Sequence, residues 1–215
     1  LIQGEEEIVV SREDMIVVDD AIVALLEGGK IRRLPKRNFT AESIASEKPV
    51  FIMETQTDRR LRFFTSHGNC LIIGVDELPE ARLTAKATNL NSLVQLEKDE
   101  EIVACFDEVK GDTLVFFTAL GNAKRTEGKE FDLRTKKTAA IALKDDDRVI
   151  AVEKQDETAG TVIMVSKGGM SIRFATDTVP VMGKGAGGVK CMKLDEGDRV
   201  IFAAQIADEG EILTI

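Results

Sequence analysis

Phe116-Phe-Thr-Ala-Leu-Gly121-Asn-Ala-Lys-Arg125 reads as an apolar strand, a glycine turn and a second strand. Three further stretches align with it without gaps: Ala24-Leu-Leu-Glu-Gly-Gly29-Lys-Ile-Arg-Arg33, Phe63-Phe-Thr-Ser-His-Gly68-Asn-Cys-Leu-Ile72 and Met164-Val-Ser-Lys-Gly-Gly169-Met-Ser-Ile-Arg173. The pairs Gly29-Lys30, Gly68-Asn69, Gly121-Asn122 and Gly169-Met170 predict two-residue hairpin turns, because tight turns need positive φ, which Gly and Asn tolerate. Ten residues after each glycine comes an apolar residue, Phe39, Leu78, Phe131 or Val179, so the register persists beyond the hairpin.

A second repeat follows three of the hairpins: Leu96-Glu-Lys-Asp-Glu-Glu-Ile-Val103, Leu143-Lys-Asp-Asp-Asp-Arg-Val-Ile150 and Leu194-Asp-Glu-Gly-Asp-Arg-Val-Ile201. An apolar residue leads into an acidic turn and a β-branched strand. The glycine spacings are 39, 53 and 48 residues; the first is shortest because its unit lacks the acidic turn and runs almost directly into Val50 to Met53. Helical periodicity never exceeds about two turns, and Ile16-Val17-Val18 and Ile22-Val23 favour strands over a helix across Met15 to Leu26. A period near 50 with four strands per unit predicts an all-β chain of blades arranged radially. The units run over 8–56, 57–108, 109–156 and 157–207. Residues 208–215, ending in Glu211-Ile-Leu-Thr-Ile215, look like the start of a further unit, so the chain reads as one domain over 1–215 cut inside a repeat array.

Composition is that of a globular chain: 215 residues, 43% hydrophobic and 31% charged. No apolar run reaches the roughly 18–20 residues of a membrane span, and no basic-then-apolar leader opens the chain. Three cysteines (Cys70, Cys105, Cys191) without an export signal predict a reducing cytoplasm. The net charge is −9, which by itself opposes nucleic-acid binding, but binding surfaces are local.

The turn-plus-basic segments Gly29-Lys-Ile-Arg-Arg33 and Gly121-Asn-Ala-Lys-Arg-Thr126 carry a resemblance. So do Asp76-Glu-Leu-Pro-Glu-Ala-Arg82, the glycine-rich Val181-Met-Gly-Lys-Gly-Ala-Gly-Gly-Val-Lys-Cys-Met-Lys-Leu194 and Glu196-Gly-Asp-Arg-Val-Ile201. Over roughly residues 8–215 the chain resembles the C-terminal domain of the A subunit of bacterial type IIA DNA topoisomerases, gyrase and topoisomerase IV. The resemblance implies a β-pinwheel, a propeller-like ring of four-stranded blades that exchange strands. It also implies double-stranded DNA as partner. The implied protein partners are the N-terminal catalytic region of the same polypeptide and the separate ATPase subunit. Localisation would be cytoplasmic and nucleoid-associated. Gyrase carries a Gln/Arg/Gly/Lys-rich wrapping box after the first hairpin; here that position reads Phe39-Thr-Ala-Glu-Ser-Ile-Ala-Ser-Glu-Lys-Pro49, which is closer to topoisomerase IV. The family joins DNA through a tyrosine, and this chain has none. No catalytic residue and no cofactor is therefore expected in it; ATP and magnesium would act on other domains.

The strongest basic run is Lys30, Arg32, Arg33, Lys36 and Arg37. Later units add Arg82 and Lys86; Lys124, Arg125, Lys129, Arg134, Lys136 and Lys137; and Arg173, Lys184 and Lys190. If equivalent positions of related blades share one edge, these cations form a track for successive phosphates, with the acidic turns segregated elsewhere. The bland alternative is that they solvate strand faces. The acidic triplets read as solvated turns and the cysteines as core residues. His67 and Cys70 have ligand-like spacing but no second pair, so no metal site is expected. Gly183, Gly185, Gly187 and Gly188 match neither a P-loop nor G-x-G-x-x-G, and predict a mobile or tightly turning crossover. The rival from another class is a propeller-like protein-interaction module.

Overall fold

Each glycine-centred stretch forms an antiparallel hairpin in the computed structural model, which describes residues 16–81, 86–144 and 146–207. The hairpins are β1 (Asp20–Leu26) with β2 (Lys30–Pro35), β4 (Arg60–Thr65) with β5 (Asn69–Gly74), β8 (Thr113–Thr118) with β9 (Asn122–Glu127), and β12 (Thr161–Ser166) with β13 (Ser171–Ala175). Each is followed by a 3-10 turn ending at the apolar residue ten positions past the glycine. The N–H groups of Phe39, Leu78 and Val179 donate to carbonyls three residues back. Leu78, Phe131 and Val179 are buried.

The loops differ from the expected two-residue turns. Three residues separate β4 from β5 and β8 from β9, and Gly68 and Gly121 close them with φ of 77° and 81°. Their N–H groups donate to the carbonyls of Thr65 and Thr118, so each is a turn followed by a left-handed glycine, the common three-residue hairpin connection. The asparagine begins the second strand.

Outer strands then flank the first strand of each hairpin: β3 (Pro49–Gln56) on β1, β7 (Ile102–Phe106) on β4, β11 (Val149–Lys154) on β8 and β15 (Val200–Ile206) on β12. Each pairing carries a bulge at the same place, which skips Val50, Val103, Ile150 or Ile201. Short strands complete three sheets on the other side: β6 (Thr88–Asn89) on β2, β10 (Lys137–Ala139) on β5 and β14 (Val189–Lys190) on β9. Each comes from the crossover after the next hairpin along the chain. This is the strand exchange of a pinwheel. The fourth sheet has three strands among the described residues.

The chain divides into two compact units, one running to Arg60 and including Gly74–Leu90, the other comprising Leu61–Ile73 and the chain from Asn91 onward. The first packs around Ile22, Ala24, Leu26, Leu34 and Ile44, the last from the short helix α1 (Ala41–Ala45). In the second, β8 is sandwiched. Leu114 and Phe116 face a core shared with Phe64 and Phe131, whose rings meet edge-on with centroids 5.0 Å apart; Val115 and Phe117 face another with Val162, Met164 and Val179. A strand buried on both faces shows a continuous apolar run, which is why Leu114–Phe117 lacks alternation. Cys70 lies in the first of these cores, and burial pushes its thiol up to about 12.

Candidate nucleic-acid interface

Sixteen basic residues were expected to face DNA, and the structure sorts them by burial and partner. Arg82 lies outside the described residues. In the first unit Lys30, Arg37 and Lys86 are exposed. Lys36 is exposed but ion-paired with Glu54 at 2.7 Å, and this contact raises its pKa. Arg32 is buried with its guanidinium 2.8 Å from Glu47, and Arg33 is largely covered, 3.8 Å from Glu80. The basic run is therefore partly neutralised by acids from outside it. Spacing gives no warning of this, because Glu47, Glu54 and Glu80 are distant in sequence.

In the second unit Lys124 and Arg125 are structural, contrary to the expectation that they meet DNA. Lys124 is fully buried; its Nζ donates to the carbonyls of Gly183 and Lys184, both at 3.0 Å, and sits 5.3 Å from the Phe116 ring centroid. Burial pulls its pKa down to about 8, with Glu130 opposing. Arg125 donates through Nε to the Val179 carbonyl at 2.6 Å, and through its terminal nitrogens to Asp177 O and Gln155 Oε1. The physical reason is strand exchange: the second hairpin strand is an interior strand, covered by the crossover of the following unit.

The remaining cations lie mainly on crossovers. Lys129, Arg134 and Lys136 are exposed between β9 and β10 and Lys137 is exposed at the start of β10, while half-buried Lys184 lies between β13 and β14 and exposed Lys190 ends β14. Lys190 Nζ donates to Leu120 O at 2.7 Å, and Lys129 pairs with Glu127. Arg173 is exposed on β13 and donates to Thr161 Oγ1. Exposed Lys167 and Lys193 were not singled out in the sequence, because neither sits in a basic run.

Charge segregation is incomplete. Lys137 Nζ lies 3.2 Å from Glu97, and Lys190 and Lys193 line the same depression as Asp195. The acidic turns are also not merely solvated. One carboxylate in each turns inward to hold its own hairpin head. Glu100 accepts from Thr65 Oγ1 and Asn69 Nδ2, Asp147 from Leu120 N and Asn122 Nδ2, and Asp198 from Ser166 Oγ and Gly168 N. The signal was present in the sequence: these are the acids four residues after Leu96, Leu143 and Leu194. Burial alone would raise the Glu100 pKa, but the Glu97 N–H, Thr65, Asn69 and Lys137 together hold it below its ordinary value.

Two of the four crossover glycines are fixed by backbone approach. A Cβ on Gly187 would stand 2.7 Å from Ala142 O, and one on Gly188, where φ is 84°, 2.6 Å from Ala123 O. The segment turns tightly, as one of the two expectations had it. His67 is half-buried and faces Glu97, 3.4 Å from its Nδ1; Glu100 completes a cluster of three possible ligands there, but Lys137 and the hairpin-head donors already engage its carboxylates.

The model of the DNA gyrase C-terminal domain, a beta-propeller, matches residues 63–106, 112–156 and 160–207, three stretches that make up more than half the chain. The chain belongs to this family. The matched stretches of the gyrase C-terminal family each take in one hairpin, the first from Phe63 within β4, and its outer strand. Among curated relatives, the DNA topoisomerase 4 A subunit of Streptococcus pneumoniae is 33% identical over 201 residues, covering 86% of this chain and 24% of the relative. The DNA gyrase A subunit of Escherichia coli K12 is 32% identical over 222 residues, covering 95% of the chain and 25% of the relative. The chain thus spans about a quarter of the length of these relatives. The crystal structure of the C-terminal domain of DNA topoisomerase IV superposes with a TM-score of 0.80 at 26% identity, covering 90% of this chain and 63% of that one. Among the described residues, no helix is long and apolar enough to cross a membrane.

Proposed function

We propose that this chain is the DNA-holding module of a type IIA topoisomerase A subunit, of the topoisomerase IV kind. It grips a duplex by its phosphates, without sequence preference, and presents it for ATP-dependent strand passage carried out by other domains. The observation that carries this reading is the concentration of cations on crossovers that repeat from blade to blade: the exposed Lys129, Arg134, Lys136 and Lys137 on one, the exposed Lys190 and half-buried Lys184 on the next. Lys30, Arg37, Lys86 and Arg173 extend the set. Repetition suits a regular polyanion, and bending that polyanion costs on the order of a few kcal/mol, which several phosphate contacts offset.

The topoisomerase IV assignment is favoured by the first crossover, where Ala41–Ala45 forms a short helix instead of a Gly/Arg-rich loop. The 0.80 TM-score and 33% identity to topoisomerase IV proteins support it, and 32% identity to gyrase A keeps the wrapping alternative in view. As part of such an enzyme the module has no chemistry of its own; its partners are the catalytic region and the ATPase subunit, and its place is the cytoplasm, on the nucleoid. Units 8–56, 57–108, 109–156 and 157–207 are the proposed division of the domain.

The test is ligation of nicked circular DNA with increasing amounts of the protein, followed by deproteinisation and topoisomer electrophoresis, with a low-salt binding assay in parallel. Binding without a linking-number shift is expected. A dose-dependent shift would establish gyrase-like wrapping, and absence of binding would leave the protein-interaction module.

A further inference from the structure

We propose that the cleft over Arg33, in the first unit, is an oxyanion site that takes a phosphate group. Arg33 and Arg125 occupy the same position of their hairpins, four residues past the turn glycine, and their backbones are treated alike. Arg125 N donates to Pro180 O and Arg125 bridges Val181 in parallel; Arg33 bridges Glu80 in parallel, and its carbonyl accepts from Ala81 N. Leu78-Pro79-Glu80 stands where Val179-Pro180-Val181 stands in the later unit. The side chains diverge. Arg125 places donors on two carbonyls and an amide oxygen, including Val179 O at 2.6 Å. Among the described residues Arg33 Nε is buried with no hydrogen-bond partner, and a terminal nitrogen lies 3.8 Å from the Glu80 carboxylate.

Glu80 stands where the apolar Val181 stands in the later unit, and its carboxylate is the charged group that the Arg33 fork approaches. The guanidinium therefore has a side chain only 14% exposed and an Nε donor that no described residue satisfies. A buried donor left unpaired is costly, and a ligand that satisfies it recovers that cost. The guanidinium lies in a cleft of about 450 Å³ that Lys36, Arg37 and Thr57 also line. Asp19, Asp20 and Glu80 line it as well, and Asp19 and Asp20 are exposed. An anion entering the cleft meets the Arg33 fork, which binds two oxygens of a tetrahedral oxyanion side by side, and displaces the loosely held Glu80. Both free phosphate and a DNA backbone phosphate present this chemistry. The site does not depend on the DNA reading, since free phosphate alone would fill it.

The experiment is an NMR titration of the full chain, following the arginine Nε–H resonances as inorganic phosphate is added at constant ionic strength, with sodium chloride as control. A saturable shift of the Arg33 Nε–H with about millimolar affinity is expected, with loss of the shift in Arg37→Gln or at least about a fivefold weakening. Arg33→Lys, which keeps the charge and removes the fork, should weaken binding by at least about tenfold while the backbone amide spectrum stays folded. An unmoved Nε–H, or an equal shift with chloride, overturns the proposal. A second arm adds a short duplex: a matching Nε–H shift identifies the backbone phosphate as the source, and duplex binding that leaves this resonance unmoved identifies free phosphate.

Discussion

The Nε–H of Arg125 donates to the backbone carbonyl of Val179 at 2.6 Å, joining the second strand of one hairpin to the 3-10 turn that follows the next. Lys124, its neighbour on β9, holds the Gly183–Lys184 carbonyls of the same crossover. Two cations that look like phosphate ligands in the sequence are the pins of strand exchange.

Arg125→Lys should therefore lower stability without weakening DNA binding. A lysine keeps the charge but reaches at most one of the acceptors, so the loss is on the order of 1–3 kcal/mol. Thermal unfolding would show it, and DNA affinity measured well below the transition should match the wild type. A parallel fall in affinity would return Arg125 to the interface.

Lys124 makes the pH dependence specific. Its pKa is depressed to about 8 in the folded chain from an ordinary 10.5. Between these values the unfolded chain holds more protons, so stability rises with pH across that window. Lys124→Met should remove this rise and, because it takes the donor from the Gly183 and Lys184 carbonyls, lower stability at pH 7 by about 1–3 kcal/mol. Denaturant unfolding of both proteins from pH 7 to 10 tests it; parallel curves would contradict the burial argument.

At the acid end Glu100 acts in the opposite sense. Its folded pKa is lowered, so its contribution is present above the unfolded carboxyl value and is lost as pH falls through the folded one. Glu100→Gln should reduce stability at pH 7, since an amide nitrogen meets the Glu97 N–H donor-to-donor, and should flatten the loss of stability below about pH 4.5. Acid titration of the melting temperature checks both halves.

Gly121 has two separate reasons to lack a side chain. Its φ is 81°, and a Cβ would stand 2.5 Å from Met192 O, because the Gly121 carbonyl receives the N–H groups of Cys191 and Met192. Gly121→Ala should cost on the order of 2–4 kcal/mol. Gly185→Ala, with open space at the Cβ position, should cost well under that in the same thermal assay.

The hairpins, the outer strands and the apolar anchors after each turn were legible because they depend on local pattern, and the pattern recurs four times. The three-residue loops were misjudged by one residue, since glycine-asparagine suits both a two-residue turn and a left-handed glycine followed by a strand. The burial of Arg32 and Lys124 was not legible. It depends on Glu47, which the connection to β3 returns to the same hairpin from 15 positions away, and on the Gly183–Lys184 carbonyls, which strand exchange brings in from about 60. The hairpin-head role of Glu100, Asp147 and Asp198 could have been read from the one acidic position shared by all three turns.

The central claim, that exposed crossover cations grip a duplex by its phosphates, is tested most directly by anisotropy titrations on two unrelated duplexes across a salt series, with wild type and an Arg134→Glu, Lys136→Glu double variant. The predicted result is affinity that falls linearly in log–log form, by about 0.9 per phosphate contacted, alike for both sequences, with a shallower slope and weaker binding for the variant. Salt-independent affinity, strong preference for one sequence, or no binding at the lowest salt would contradict it.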